Sequence, residues 1–384
     1  LTRWDLLVLG GGPAGAATAA LAAGAGARVL LVERERFPRD KVCGEFLSGE
    51  ALPVLRALGI EDAVRAAGAV GIDTCRVSEP GGRTVEAPLP ETGLGISRFR
   101  LDALLLDLAR QRGATVCEGI EAAAPLLEDG QIAGARLGRS GSDEARARVV
   151  VAADGRRSLL VRALHPWLGD PARSGRSAWF GFKTHRIGTL HRGSCVDLHA
   201  FRGGYLGLAA VEGQRLNVCL MATVSALRAC GGRPDRLLER ARENPAADQV
   251  LSDTEHGGRW HSVGPLRFGV RRPAAASALF VGDAAGTIDP FAGEGMCHAL
   301  RAAGLAAPVA LQAAQAGGLS DAMAARYVLA WTSAFGAATA RARRLARLLE
   351  HPLPATAAVL LLRALGGPAF QRLVAHSRTG SSPA

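Results

Sequence analysis

Lysine is almost missing from this chain of 384 residues: Lys41 and Lys183 stand alone among 46 basic residues, so arginine carries nearly all the positive charge. The formal net charge of +11 suits an anionic partner. The arginines are scattered, however, and aromatic residues make up only 5% of the chain. No basic run is interleaved with aromatics, which excludes the usual footprint of a nucleic-acid binder. Attraction of an anionic substrate or cofactor is the milder reading. Cysteine pairing is lacking too. Cys43, Cys75, Cys117, Cys195, Cys219, Cys230 and Cys297 stand singly, with no CxxC and no histidine at metal-ligand spacing. Neither a zinc site nor a disulfide framework is expected, and reduced thiols fit a cytoplasmic enzyme. Low-complexity tracts and tandem repeats are absent, and 48% of residues are hydrophobic. A compact chain with two interleaved domains follows. The uncharged run from Leu6 to Ala27 contains GGGPAG and has no basic lead-in, so it reads as a βαβ unit. No targeting segment is expected.

The elements that are present give an α/β class with an α+β substrate part. WDLLVLG is a continuous apolar strand of the kind buried in a parallel sheet. PAGAATAALAAGAG is a small-residue helix, and ARVLLVER the next strand. A helical stretch broken near Gly59 follows, then a hairpin over 71–95 around PGG, then an amphipathic helix capped by Ser97. A further hairpin leads into the buried strand before ADG. Residues 176–223 read as a second, strand-rich sheet and 225–251 as helical. LFVGD returns to the buried-strand pattern, and helices follow it. These readings place a Rossmann-like nucleotide-binding domain at 1–70, 96–170 and 263–350. A β-rich substrate domain takes 71–95 and 171–262, and a helical tail takes 351–384.

Gly10, Gly12 and Gly15 form GxGxxG between strand and helix. The first permits a tight turn, the second lets a pyrophosphate approach the backbone, and the third allows close helix–strand contact. Glu33 ends the second strand, where its carboxylate can accept the hydroxyls of a ribose. Dinucleotide binding follows from that context. Asp283, after the strand LFVG, can accept hydrogen bonds from a sugar-alcohol chain; taken alone it reads equally as a helix N-cap. Gly293 and Gly295 precede a helix whose free N–H groups can stabilise an anionic ring edge.

GxGxxG, the later ADG and the still later GDAAG…P..GEG, in that order and spacing, resemble the FAD-dependent monooxygenase and geranylgeranyl reductase superfamily of the p-hydroxybenzoate hydroxylase fold. The resemblance covers roughly residues 3–345, and FPRDKVCGEFLS and DPFAGEGM look most similar to its geranylgeranyl reductase-like branch. It implies FAD as cofactor. Gly10, Gly12, Pro13, Ala14 and Gly15 would cradle the pyrophosphate, and Glu33 and Arg34 would hold the adenosine end. Arg98, Gly282 and Asp283 would contact the pyrophosphate or ribityl part, and Asp154 would shape the site. Pro290, Gly293, Gly295 and Met296 would line the isoalloxazine, with Arg39, Lys41, Cys43 and Gly44 passing near it. Cys43, Glu45 and Tyr205 are the catalytic candidates. Arg39 and Lys41 could favour a Cys43 thiolate, against a reading of Cys43 as a small packed residue. Glu45 could be a general acid or base, or a solvated loop carboxylate. His298 is expected to face the helix interior.

The implied activity is an FAD-dependent oxidoreductase acting on an isoprenoid, polyketide or aromatic compound by hydride transfer or oxygen activation. The rivals are an aromatic hydroxylase using NAD(P)H and a non-catalytic flavin-binding protein. A second GxGxxG is lacking, so NAD(P)H would visit only transiently. Halogenation is disfavoured, because Lys41 belongs to the flavin loop and Lys183 to a strand of the substrate sheet. The tryptophan and Phe-Pro of related reductases are absent around YLGLAAVEG. PATAAVLLLRALGGPAFQRLV suits a membrane interface, but it is short for an anchor, so a helix packed over the core is expected.

Overall fold

The computed structural model describes residues 3–164, 168, 179–188, 193–349 and 352–377. Residues 171–178 and 189–192 of the expected substrate domain, and 350, 351 and 378–384 near the C-terminal end, lie outside the described residues.

Strand β1 (Trp4–Leu9) is buried from Leu6 onward, and β2 (Val29–Glu33) is buried throughout. Runs with no polar face need cover on both sides, and parallel pairing with helical crossovers provides it. Helix α1 (Pro13–Gly24) makes that crossover; Ala16, Ala17, Ala19 and Ala20 are fully buried, so it packs closely on its neighbours. The first sheet has eight strands. Its main order is Ala274–Ala275, Ala278–Phe280, Asp143–Ala152, β1, β2, Thr115–Glu118. Ala278–Phe280, Asp143–Ala152, β1, β2 and Thr115–Glu118 run parallel. Their carboxyl ends therefore share one edge of the sheet, although they are far apart in the chain.

The second sheet has nine strands among the described residues and is mainly antiparallel, in the order Thr254–His256, Trp179–Gly188, Arg215–Thr223, Gly204–Val211, Cys195–Phe201, Val70–Ser78, Thr84–Gly95, Phe46–Leu47. His261–Leu266 pairs with Trp179–Gly188 off that path. The hairpin expected over 71–95 is present as Val70–Ser78 and Thr84–Gly95. Phe46–Leu47, expected with the nucleotide part, pairs with Thr84–Gly95 in this second sheet. Ser97 caps the helix Arg98–Gln111, its hydroxyl accepting from the Arg100 N–H at 3.2 Å.

The C-terminal helices Pro352–Leu365 and Gly367–Ser377 pack over the second sheet, as expected for helices covering the core. Val359, Phe370 and Val374 are buried in one apolar cluster with Phe46, Ile72 and Val77 of the second sheet. Leu360, Leu361 and Leu365 point outward and are exposed. Among the described residues no single helix is long and apolar enough to cross a membrane; Thr356–Leu365 and Gly367–Ala375 pass such a test only as a pair bent by 117°.

Candidate active site

One cavity of about 1020 Å³ lies between the two sheets. Its polar end is built from the shared strand edge. Gly10 and Gly12 follow β1, Glu33 ends β2, Asp154 follows Asp143–Ala152, and Gly282 and Asp283 follow Ala278–Phe280; all line the cavity. The glycines divide into structural and open positions. A Cβ on Gly15 would lie 1.9 Å from the Gly10 carbonyl oxygen, and one on Gly10 (φ +103°) would lie 2.5 Å from that of Ala153. Here backbone meets backbone, which only glycine permits. A Cβ on Gly12 would meet nothing nearer than Arg98 Nη2 at 3.8 Å, and at Gly44, Gly155 and Gly295 nothing within 4 Å. All four line the cavity, so they leave room for a ligand rather than for the protein.

Glu33 accepts the Gly11 N–H at 2.7 Å through Oε2 and the Glu35 N–H at 2.9 Å through Oε1. Its remaining lone pairs still allow it to accept hydroxyls. Arg34 lines the cavity beside it, and Pro13 and Ala14 open α1 there. Arg98 is held in bidentate contact with Asp102, Nε to Oδ1 at 2.6 Å and Nη2 to Oδ2 at 2.7 Å, and Arg39 adds a contact to the same carboxylate at 2.9 Å. Burial alone would lower the Arg98 pKa, but Asp102 outweighs it and raises it.

Asp283 sits in the 3-10 turn Gly282–Ala284, whose N-cap is Val281, so Asp283 is not an N-cap. Its exposure is to the cavity, and the enclosing protein pushes its carboxyl pKa up against the pull of Lys41 and Arg98. Asp154 accepts the Leu159 N–H at 2.7 Å through Oδ2, while its buried Oδ1 has no partner. Burial raises its pKa as well. Lys41 also faces this space. Burial, then Arg98, Arg39 and Arg34, lower its pKa to about 8. Helix Gly295–Gln315 points its N-terminus at the cavity through Gly295 and Met296, with Gly293 (φ +68°) and Pro290 in the turn before it.

Of the two readings open to Cys43, burial favours the packed residue: Cys43 lines the cavity, and burial raises its thiol pKa in spite of Arg98, so the neutral S–H is favoured. Glu45 neither lines the cavity nor meets solvent; it is fully buried beneath the loop. Its Oε1 accepts from Arg98 N–H at 2.8 Å and Lys183 Nζ at 2.6 Å, and its Oε2 contacts His185 Nε2 at 2.7 Å. Lys183 Nζ also reaches Asp40 Oδ1 at 2.9 Å. Burial opposes the ammonium, but Glu45 and Asp40 outweigh it and raise its pKa. Sequence reasoning missed this cluster. The one available signal was a lysine within a strand pattern of a chain with almost no lysine.

The other end of the cavity is apolar. Val77, Val196, Leu198, Met221, Leu362 and Phe370 are among its walls, so the C-terminal helices close the chamber. Tyr205 lies here, packed between Trp179 at 6.2 Å and Phe291 at 6.1 Å, centroid to centroid. Its buried hydroxyl has no partner, and burial raises its pKa well above the ordinary value. His298 is buried on Phe335, with ring centroids 4.1 Å apart, and burial pushes its pKa down to about 3.

A parallel-stranded edge carrying glycine turns, a strand-end carboxylate and a free helix N-terminus defines a dinucleotide-binding oxidoreductase. The chain belongs to the FAD binding domain family, whose model matches residues 3–328. It is 30% identical over 347 residues to digeranylgeranylglycerophospholipid reductase 2 of Methanopyrus kandleri, covering 87% of this chain and 83% of that protein. It is 28% identical over 370 residues to menaquinone reductase of Mycolicibacterium smegmatis, covering 91% and 86%. Among solved structures, a geranylgeranyl bacteriochlorophyll reductase-like protein from Thermoplasma acidophilum superposes with TM-score 0.77 at 21% identity, covering 98% of this chain and 97% of that one. A flavin-dependent brominase superposes with TM-score 0.81 at 17% identity, covering 99% and 95%. FAD is the cofactor, and the site fits it. The open glycine positions leave room along the cradle, and Asp154 Oδ1 is a buried acceptor awaiting a donor.

Proposed function

We propose that this FAD-dependent oxidoreductase saturates a carbon–carbon double bond in a long isoprenoid-type substrate, with NAD(P)H as a transient electron donor. The observation that carries the reading is the apolar half of the cavity, walled by Val77, Val196, Leu198, Leu362 and Phe370. The relatives named as reductases of a geranylgeranyl phospholipid and of menaquinone support the substrate class.

FAD supplies two-electron redox chemistry when bound. Gly10, Gly12, Glu33, Arg34 and Arg98 would hold its nucleotide part and Asp154 and Asp283 its linker, while Gly15 lets the helix sit against the Gly10 turn. Pro290, Gly293, Gly295, Met296 and the Arg39–Gly44 loop border its ring. Saturating the bond takes two electrons and two protons. Burial keeps both the Tyr205 hydroxyl and the Cys43 thiol protonated, so each holds a proton on the cavity wall. The apolar wall orients the chain of the substrate and excludes water from the reacting bond.

The test is anaerobic. Photoreduced holoenzyme is mixed with a geranylgeranyl-bearing lipid, and then with menaquinone. Flavin reoxidation with a product that has gained two hydrogen atoms in its prenyl chain, located by fragment mass, supports this reading, whereas a quinol with an unchanged prenyl chain contradicts it. Reoxidation only on admitting air, with one oxygen atom in the product, replaces this reading with a monooxygenase.

A further inference from the structure

We infer that Lys183 is a positioning residue that fixes the cavity-lining segment 41–44 by clamping both of its ends to the second sheet. The ammonium contacts Asp40 Oδ1 at 2.9 Å and Glu45 Oε1 at 2.6 Å. Those two carboxylates immediately flank Lys41, Val42, Cys43 and Gly44, and all four of these residues line the cavity. Lys183 and Glu45 are both fully buried.

Other contacts point the same way. His185, two residues along the same strand, takes the second Glu45 oxygen at 2.7 Å. Asn217, on the adjacent strand, donates from Nδ2 to the Cys43 carbonyl at 3.1 Å. Glu45 has φ 54°, a left-handed conformation that non-glycine residues rarely hold unless the surroundings fix it. A buried ion pair is often no more stabilising than apolar packing. What this pair adds is a definite place for the loop. The hoop that bears the Cys43 thiol and the open face of Gly44 takes its position from the second sheet, while the glycine cradle takes its position from the first.

The FAD-loaded protein provides the test. Asp40→Ala removes one foot and leaves Lys183 paired with Glu45, so no buried charge is stranded. Alkylation of Cys43 by iodoacetamide, resolved by peptide mass, is expected to accelerate about tenfold through local opening. The visible circular dichroism of the bound flavin changes with it, Asp40→Glu restores both readouts, and FAD affinity shifts less than about threefold because the nucleotide cradle is untouched. The double variant Lys183→Met/Glu45→Gln, which removes both buried charges, gives larger changes of the same kind. Unchanged alkylation and dichroism in folded Asp40→Ala overturn the inference. Hydrogen exchange in the unmodified holoprotein covers the case of variants that do not fold. Amides of 41–44 are expected to exchange as slowly as those of Trp179–Gly188, and exchange as fast as in the exposed turn at Asp129–Gly130 overturns the inference.

Discussion

The two ends of the cavity are made in different ways. The polar end is backbone: strand termini, glycines without neighbours and one helix N-terminus. The apolar end is side chain, contributed by the second sheet and by two short helices from the end of the chain. Backbone geometry tolerates few substitutes, whereas an apolar wall accepts many residues of similar volume. One end therefore sets the cofactor, and the other is free to set the substrate.

The most damaging way to break the contrast is inside the cradle. Gly15→Val drives carbon into the Gly10 carbonyl, and loss of the folded protein by circular dichroism is expected. Gly12→Val has open space instead, so the ligand-free melting temperature holds while FAD affinity falls roughly 100-fold, about 2.7 kcal/mol by equilibrium dialysis. Equal behaviour of the two variants would refute the division into structural and open glycines.

Asp283→Ala should weaken FAD about tenfold, measured by flavin release. The same change should raise the ligand-free melting temperature at neutral pH. The folded carboxyl pKa lies above its ordinary 3.8, so ionisation in the folded state carries a cost at neutral pH that vanishes below that value.

At the other end, Leu362→Asp should leave FAD affinity within about threefold while kcat/KM for an isoprenoid substrate falls about tenfold, a loss of about 1.4 kcal/mol in transition-state binding. A parallel loss of FAD would erase the boundary between the two halves. The smallest effect concerns Lys41. Its pKa of about 8 in the ligand-free protein predicts that FAD affinity declines as pH rises past that value, because a cavity ammonium that attracts the anionic cofactor is lost. Lys41→Met should remove this slope, as read from FAD titrations at several pH values.

The contrast also explains what could be read in the sequence. GxGxxG, Glu33, the ADG turn and Asp283 were legible because each follows an apolar run that can only be a buried strand. Parallel pairing then brings their ends together. The second sheet was legible as strand-rich, but not its order, which depends on partners distant in the chain. Cys43 was legible as a loop residue with two readings, thiolate or packed thiol, and the choice between them depends on burial, which outweighs the neighbouring arginine charge and is a tertiary property. Glu45 was named for the wrong reason. Nothing local shows that its carboxylate turns inward to Lys183 and His185. The C-terminal helices gave an apolar pattern, but the pattern could not say that Val359, Phe370 and Val374 close a chamber while Leu360, Leu361 and Leu365 face out.

A crystal structure of the yellow holoprotein tests the central claim most directly. The account predicts adenosine density against Glu33 and Arg34, pyrophosphate over Gly12, and the ring bounded by Gly295 and the Cys43–Gly44 segment, its free edge turned toward Leu198 and Phe370. A flavin bound elsewhere, or with its ring in the glycine cradle and its adenosine in the apolar chamber, would contradict it.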